Sequence, residues 1–254
     1  KRLEDADAWR REFEAADAVL INGEGTLHHD RPYALYLLGL GQQAVTMGKP
    51  VYLVNSTWES NSPTTVALLS GFSGIWVRDS ASAAALAAEG VAAEIVPDLT
   101  FMSSYPPVAA AGPRILVTDS VYADTSRDLQ GLVSSPDWCY LPIIQWPALV
   151  GARAAAGKWM RAMLYRGLMT LSLGLYKPRQ YYIDLGYCET DTERYLQSLA
   201  TARAMVSGRY HAVCLGLQHR LPFVCLTSNT RKVQNLLGDA GIDLARHMLA
   251  IEQL

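Results

Sequence analysis

A chain of 254 residues, half of them hydrophobic and 18% charged, can bury one large core or two modest ones and is too apolar to remain disordered. Its 24 acidic and 22 basic side chains leave a net charge of −2, which excludes the general attraction to nucleic acid that a basic protein has. Cys139, Cys188, Cys214 and Cys225 form no Cys-x-x-Cys pair, which fits a reducing cytoplasm. Neither a secretory signal nor an apolar run of ~18 residues is present, so no membrane span is expected.

The chain starts without methionine inside a helix pattern at 5–16, and so reads as a truncated N-terminal domain. Residues 18–21 are apolar, as a buried parallel strand is, and run directly into Asn22-Gly23-Glu24-Gly25-Thr26. Ligands of open α/β sheets bind just past the carboxyl ends of strands. This loop is therefore a candidate site wall, with Asn22, Gly23 and Gly25 close to a ligand and Glu24 on an exposed crest. A tight turn with a solvated glutamate fits the same residues. The run His28-His29-Asp30-Arg31-Pro32 has metal-ligand chemistry, but adjacent histidines rarely face one ion and no further ligands are suitably spaced. No metal is expected. His28 is assigned to the ligand crevice and His29 to solvent.

A helix is predicted over 33–48, a strand over 51–55, a helix over 63–70 and a strand over 74–77. Arg78 follows at the strand end, Asp79 is placed to cap an alanine-rich helix over 81–89, and Asp98 lies just past a strand over 94–98. These elements make a domain over 1–105. Prolines and small residues mark a linker over 106–113, and the β/α alternation restarts in a second domain over 114–254. Strands are predicted at 114–118 and 138–143, with a helix within 125–133. In 153–175 the cations Lys158, Arg161 and Arg166 are interleaved with Trp159, Met160, Met163 and Leu164. Such a helix could lie on an anionic bilayer or pack against the neighbouring domain.

After a strand over 181–185 and a helix over 192–203, an apolar run at 204–206 stops at Ser207 and Gly208, and a helix begins with Arg209 and His211 in its first turn. The unpaired N–H groups and the dipole of a helix start favour an anion there. Arg209 can grip a planar anion at two points, and His211 can carry a proton near neutral pH. A structural ion pair and a satisfied buried histidine are the plainer readings. A strand over 223–226 follows, then a last helix that Ser228 or Asn229 could cap. That helix carries Lys232, which either faces the same crevice or is an ordinary surface lysine.

The order of Val19-Leu20-Ile21-Asn22-Gly23-Glu24-Gly25 with His28, Trp76-Val77-Arg78-Asp79-Ser80, Val96-Pro97-Asp98, and Ser207-Gly208-Arg209-Tyr210-His211 with Leu221-Pro222 and Lys232 resembles the polysaccharide pyruvyl transferase family. It departs at Glu24, where many members carry glycine. The resemblance implies two Rossmann-like β/α domains in a GT-B-like arrangement, and a transferase moving a pyruvyl group from phosphoenolpyruvate to sugar hydroxyls of a surface polysaccharide or cell-wall glycan. It also implies a cytoplasmic enzyme working on a glycan or lipid-linked saccharide at the inner face of the membrane, without a cofactor. On this reading Arg78, Arg209, Lys232, His28 and Ser207 bind substrate. His211 is the general acid/base, and Glu24 or Asp98 takes the acceptor proton. A retaining glycosyltransferase using a CMP-activated Kdo or sialic acid, with Asp98 as nucleophile, is the alternative. A non-catalytic glycan-binding module is a third.

Overall fold

The computed structural model describes residues 6–105, 112–143 and 192–249. The segment 153–175, the strand expected at 181–185 and most of the expected linker lie outside the described residues. The chain divides into two compact units, and each is an α/β unit with its own parallel sheet, four-stranded among the described residues.

Unit one comprises Lys1–Met102 with Thr230–Ile242. Its strands β1 (Val19–Glu24), β2 (Val51–Ser56), β3 (Gly74–Val77) and β4 (Glu94–Ile95) lie in the order β1-β2-β3-β4. They alternate with helices α1 (Ala6–Ala15), α2 (Pro32–Thr46), α3 (Pro63–Ala67) and α4 (Ser80–Ala88). Pro32 opens α2 at a position where its missing N–H leaves nothing unsatisfied. Asp79 caps α4 as its sequence position suggests, accepting from Ser82 N at 2.8 Å. The core gathers Ile21, Leu27, Leu38, Val51, Leu53, Val77 and Leu86. One expectation fails in detail: β1 is not buried on both faces. It is an edge strand of the described sheet, so strand alternation sends Leu20 outward, 67% exposed, along with Asn22 and Glu24.

Unit two comprises Ser103–Asn229 with Asp243–Leu254. In chain order it contains β5 (Ile115–Ser120), α5 (Ala123–Gly131), β6 (Trp138–Tyr140), α6 (Thr192–Ala200), β7 (Ala204–Gly208), α7 (Tyr210–Gln218) and β8 (Phe223–Cys225). The sheet order is β6-β5-β7-β8, every pair parallel. Val117, Leu129, Val206 and Leu226 form one of its buried apolar clusters. Strands are added on both sides of β5, so the order reverses between β5 and β7. In such sheets the carboxyl ends at that reversal form the ligand crevice.

Helix α8 (Lys232–Asp239) belongs with unit one, and α9 (Leu244–His247) with unit two. Read from sequence, α8 fell in the domain over 114–254. Three contacts hold it in unit one. Asp239 accepts from Ser80 N and Oγ, Asn235 Nδ2 donates to Asp79 Oδ1 at 3.0 Å, and the Arg231 N–H donates to Glu59 Oε2 at 3.1 Å. Neither Ser228 nor Asn229 caps α8. Its N-cap is Arg231, which makes no side-chain cap bond. No helix among the described residues is long and apolar enough to cross a membrane.

Candidate active site

In unit one the side chains of Arg78 and Lys232 lie beside Gly25 in the loop that follows β1. Arg78 directly follows β3, and its backbone N–H donates to Ser56 O of neighbouring β2 at 2.9 Å. Its side chain and that of Asp98 are each 1% exposed. Nη1 donates to Asp98 Oδ2 at 2.6 Å, while Nε and Nη2 donate to Thr57 Oγ1 at 3.2 and 2.6 Å. Asp98 Oδ1 accepts from Thr100 N and Oγ1. Burial alone would raise the Asp98 carboxyl; the bonds from Thr100 and Arg78 outweigh it and hold the group below the usual carboxylate range. Asp98 is thus an anion that balances a buried guanidinium. Expected as a catalytic carboxylate, it has both oxygens engaged and almost no exposed surface.

A Cβ built on Gly25 would lie 3.4 Å from Lys232 Nζ and 3.5 Å from Arg78 Nη2, so the absent side chain leaves room beside two cations. Gly23 has a different reason to be glycine, because a Cβ there would meet Ser56 Oγ at 2.1 Å. Its close neighbour is β2, and its bareness serves strand packing. Asn22 accepts from Asn55 Nδ2 at 3.1 Å and donates to Glu24 Oε1 at 3.3 Å. Glu24 is exposed and has φ of 44°, the left-handed region that glycine adopts freely. Its carbonyl accepts the Thr57 N–H at 2.8 Å, which ties the crest to the residue that holds Arg78.

His28 is 3% exposed. Its Nδ1 lies 2.9 Å from Nδ1 of the exposed His29, and its Nε2 is buried with no hydrogen-bond partner among the described residues. Burial, then the nearby Arg31 and His29, hold the His28 imidazole below its ordinary value, with Lys232 adding to the effect and Glu59 opposing it. A neutral ring with an unsatisfied buried nitrogen has something to gain from a ligand. Among the described residues no three His, Cys, Asp or Glu side chains gather as metal ligands would.

Unit two presents its polar groups at the reversal between β5 and β7. Arg209 is the N-cap residue of α7 and makes no side-chain cap bond. Its Nε donates to Asp119 Oδ2 at 3.0 Å, and Nη2 donates to the same oxygen. Ser207 is fully buried. Its Oγ accepts the Arg209 N–H at 3.0 Å, donates to Arg209 O at 3.2 Å and lies 2.9 Å from Thr118 Oγ1. The hydroxyl expected to meet substrate therefore shapes the turn before α7. His211 is exposed on the first turn of α7, its ring edge-on to Tyr210. Sequence reading missed Thr57, Glu59 and Asp119. Asp119 carries the same signal as Asp98, an acidic residue at the carboxyl end of an apolar strand.

The model of the polysaccharide pyruvyl transferase family matches residues 1–230, which takes in every position above except Lys232 and the rest of α8. No curated protein matches the chain.

Proposed function

Since the chain belongs to the polysaccharide pyruvyl transferase family, we propose that it transfers the pyruvyl group of phosphoenolpyruvate to two hydroxyls of one sugar, forming a ketal and releasing phosphate. The observation that supports this reading is the placement of two cations, Arg78 and Lys232, beside the side-chain-free backbone of Gly25. Arg78 is held by Asp98 and Thr57, so its positive charge is fixed in place beside that backbone.

Within unit one, Arg78 and Lys232 are assigned to an anionic group of the substrate and the buried Nε2 of His28 to donor or acceptor; within unit two, Arg209 is assigned to anion binding. His211 protonates the methylene carbon, which draws electrons from C2 and lets a sugar hydroxyl add there. Glu24 accepts that hydroxyl's proton. Phosphate then departs, and the second hydroxyl closes the ketal, its proton leaving with the phosphate. The proton taken by Glu24 returns through solvent to His211, so the net change converts one phosphoenolpyruvate and one diol to one ketal and one hydrogen phosphate with charge balanced.

A CMP-activated 2-keto sugar acid presents a similar carboxylate and phosphate, but its retaining transfer needs a nucleophile at C2. The engagement of Asp98 with Arg78 and Thr100 supports the pyruvyl donor over this alternative. We assign Asp98 to holding Arg78. The test is to incubate the protein with phosphoenolpyruvate, CMP-Kdo or CMP-sialic acid, each with candidate glycan acceptors, and to follow phosphate and CMP release. Acceptor-dependent phosphate release is expected, and CMP release with phosphoenolpyruvate left intact would overturn the proposal.

A further inference from the structure

The end of β5 carries a carboxylate to which the reaction above gives no task. Asp119 is 0% exposed, a position that an ionised carboxylate keeps only with good partners. Its Oδ2 takes the Nε and Nη2 edge of Arg209, while its Oδ1 accepts the backbone N–H of Ile143 at 2.9 Å. The second bond anchors the carboxylate to the chain just past β6, independently of the arginine.

The backbone beneath is equally constrained. Ser120 pairs with Gly208 across β5 and β7, and a Cβ on Gly208 would come within 2.7 Å of Ser120 Cβ and 2.9 Å of Asp119 O. Only a residue without a side chain lets the strands close to the distance that sets Asp119 beside Arg209. The Tyr140 and Tyr195 phenols lie in the field of the pair. Both are pushed up, Tyr140 to about 12, by burial first and by the Asp119 charge second. An ion pair in such surroundings is screened little, so its geometry is held firmly.

We infer that Asp119 is the positioning residue for Arg209. It occupies the Nε and Nη2 edge of the guanidinium and leaves the end bearing Nη1 to grip the donor anion, an inference that rests on the function proposed above. Arg209 Nη1 makes no hydrogen bond to any described residue. Arginine recognises carboxylate and phosphate through a planar fork, and a fork fixed on one edge meets its ligand at one angle.

The test measures kcat and KM for phosphoenolpyruvate and for the glycan acceptor in the intact protein and in Asp119→Asn, Asp119→Glu, Arg209→Lys and the Asp119→Asn/Arg209→Lys pair. Calorimetric titration with phosphoenolpyruvate and with inorganic phosphate runs alongside. Asp119→Asn should raise KM for phosphoenolpyruvate by at least ~10-fold and leave KM for the acceptor within about twofold. It should add little in the Arg209→Lys background, because its effect passes through the arginine.

Should Asp119→Asn fail to fold, Asp119→Glu keeps the charge while moving the guanidinium by about one methylene, and the same rise is expected. A merely structural aspartate would lower the yield of active protein at unchanged KM. An unchanged KM in whichever of Asp119→Asn and Asp119→Glu folds, or an equal effect in the Arg209→Lys background, overturns the inference. If the intact protein consumes no phosphoenolpyruvate, the proposed function fails separately. In that event weaker phosphate binding by the variants still supports the positioning role, and unaltered binding refutes it.

Discussion

Asp98 and Glu24 show how one residue type divides its labour according to surroundings. Asp98 is buried against Arg78, so Asp98→Asn leaves a guanidinium without its counter-charge and should cost about 3–5 kcal/mol. Urea unfolding measures this as a fall in the midpoint. A nucleophilic or basic carboxylate would instead lose turnover at an unchanged midpoint. Glu24 stands in the opposite position, exposed and with φ of 44°. Glu24→Gly relieves that conformation and should stabilise the protein by about 1 kcal/mol. If Glu24 takes the acceptor proton, the same change lowers kcat by at least ~10²-fold. Stability and activity therefore move in opposite directions, and a variant with both unchanged would remove Glu24 from the mechanism.

Elements place these side chains, and the key placement is α8 against α4. Asp239 accepts two bonds at the start of α4, so Asp239→Ala should cost about 1 kcal/mol, as loss of a helix cap does. It should also raise KM for phosphoenolpyruvate through Lys232 while leaving KM for the acceptor unchanged. Thermal unfolding with steady-state kinetics checks both. The Asp79 cap of α4 was legible in the sequence because Asp79 and Ser82 are three residues apart. The partners of α8 were not, since Glu59 and Arg231 are 172 positions apart and Ser80 and Asp239 are 159. Strands announce themselves by continuous apolar runs, whereas an edge position does not. The exposed Leu20 and the pairing of Asp119 with Arg209 therefore emerged only with the strand order.

At the scale of the whole molecule, two parallel sheets each bring an arginine and a buried aspartate to their strand ends. The sequence carried the α/β class and the family, because both rest on apolar runs punctuated by short motifs. Stability should depend on pH through His28. Its folded pKa is lowered, so the unfolded chain binds the proton more readily; the contribution is whole above 6.5 and is lost as pH falls below it. Unfolding free energy should decline from about pH 7 to about pH 5.5, and less so in His28→Asn. Equal declines would show that other groups govern acid stability. On the proposed function the donor anion lies over Gly25, and Gly25→Ala probes that placement. The added methyl meets Lys232 Nζ and Arg78 Nη2 at ordinary contact distance, so the fold tolerates it while the space beside the two cations is taken. KM for phosphoenolpyruvate is predicted to rise by ~10-fold or more with the melting temperature nearly unchanged; an unaltered KM in a folded, active variant would mean that the donor anion binds elsewhere.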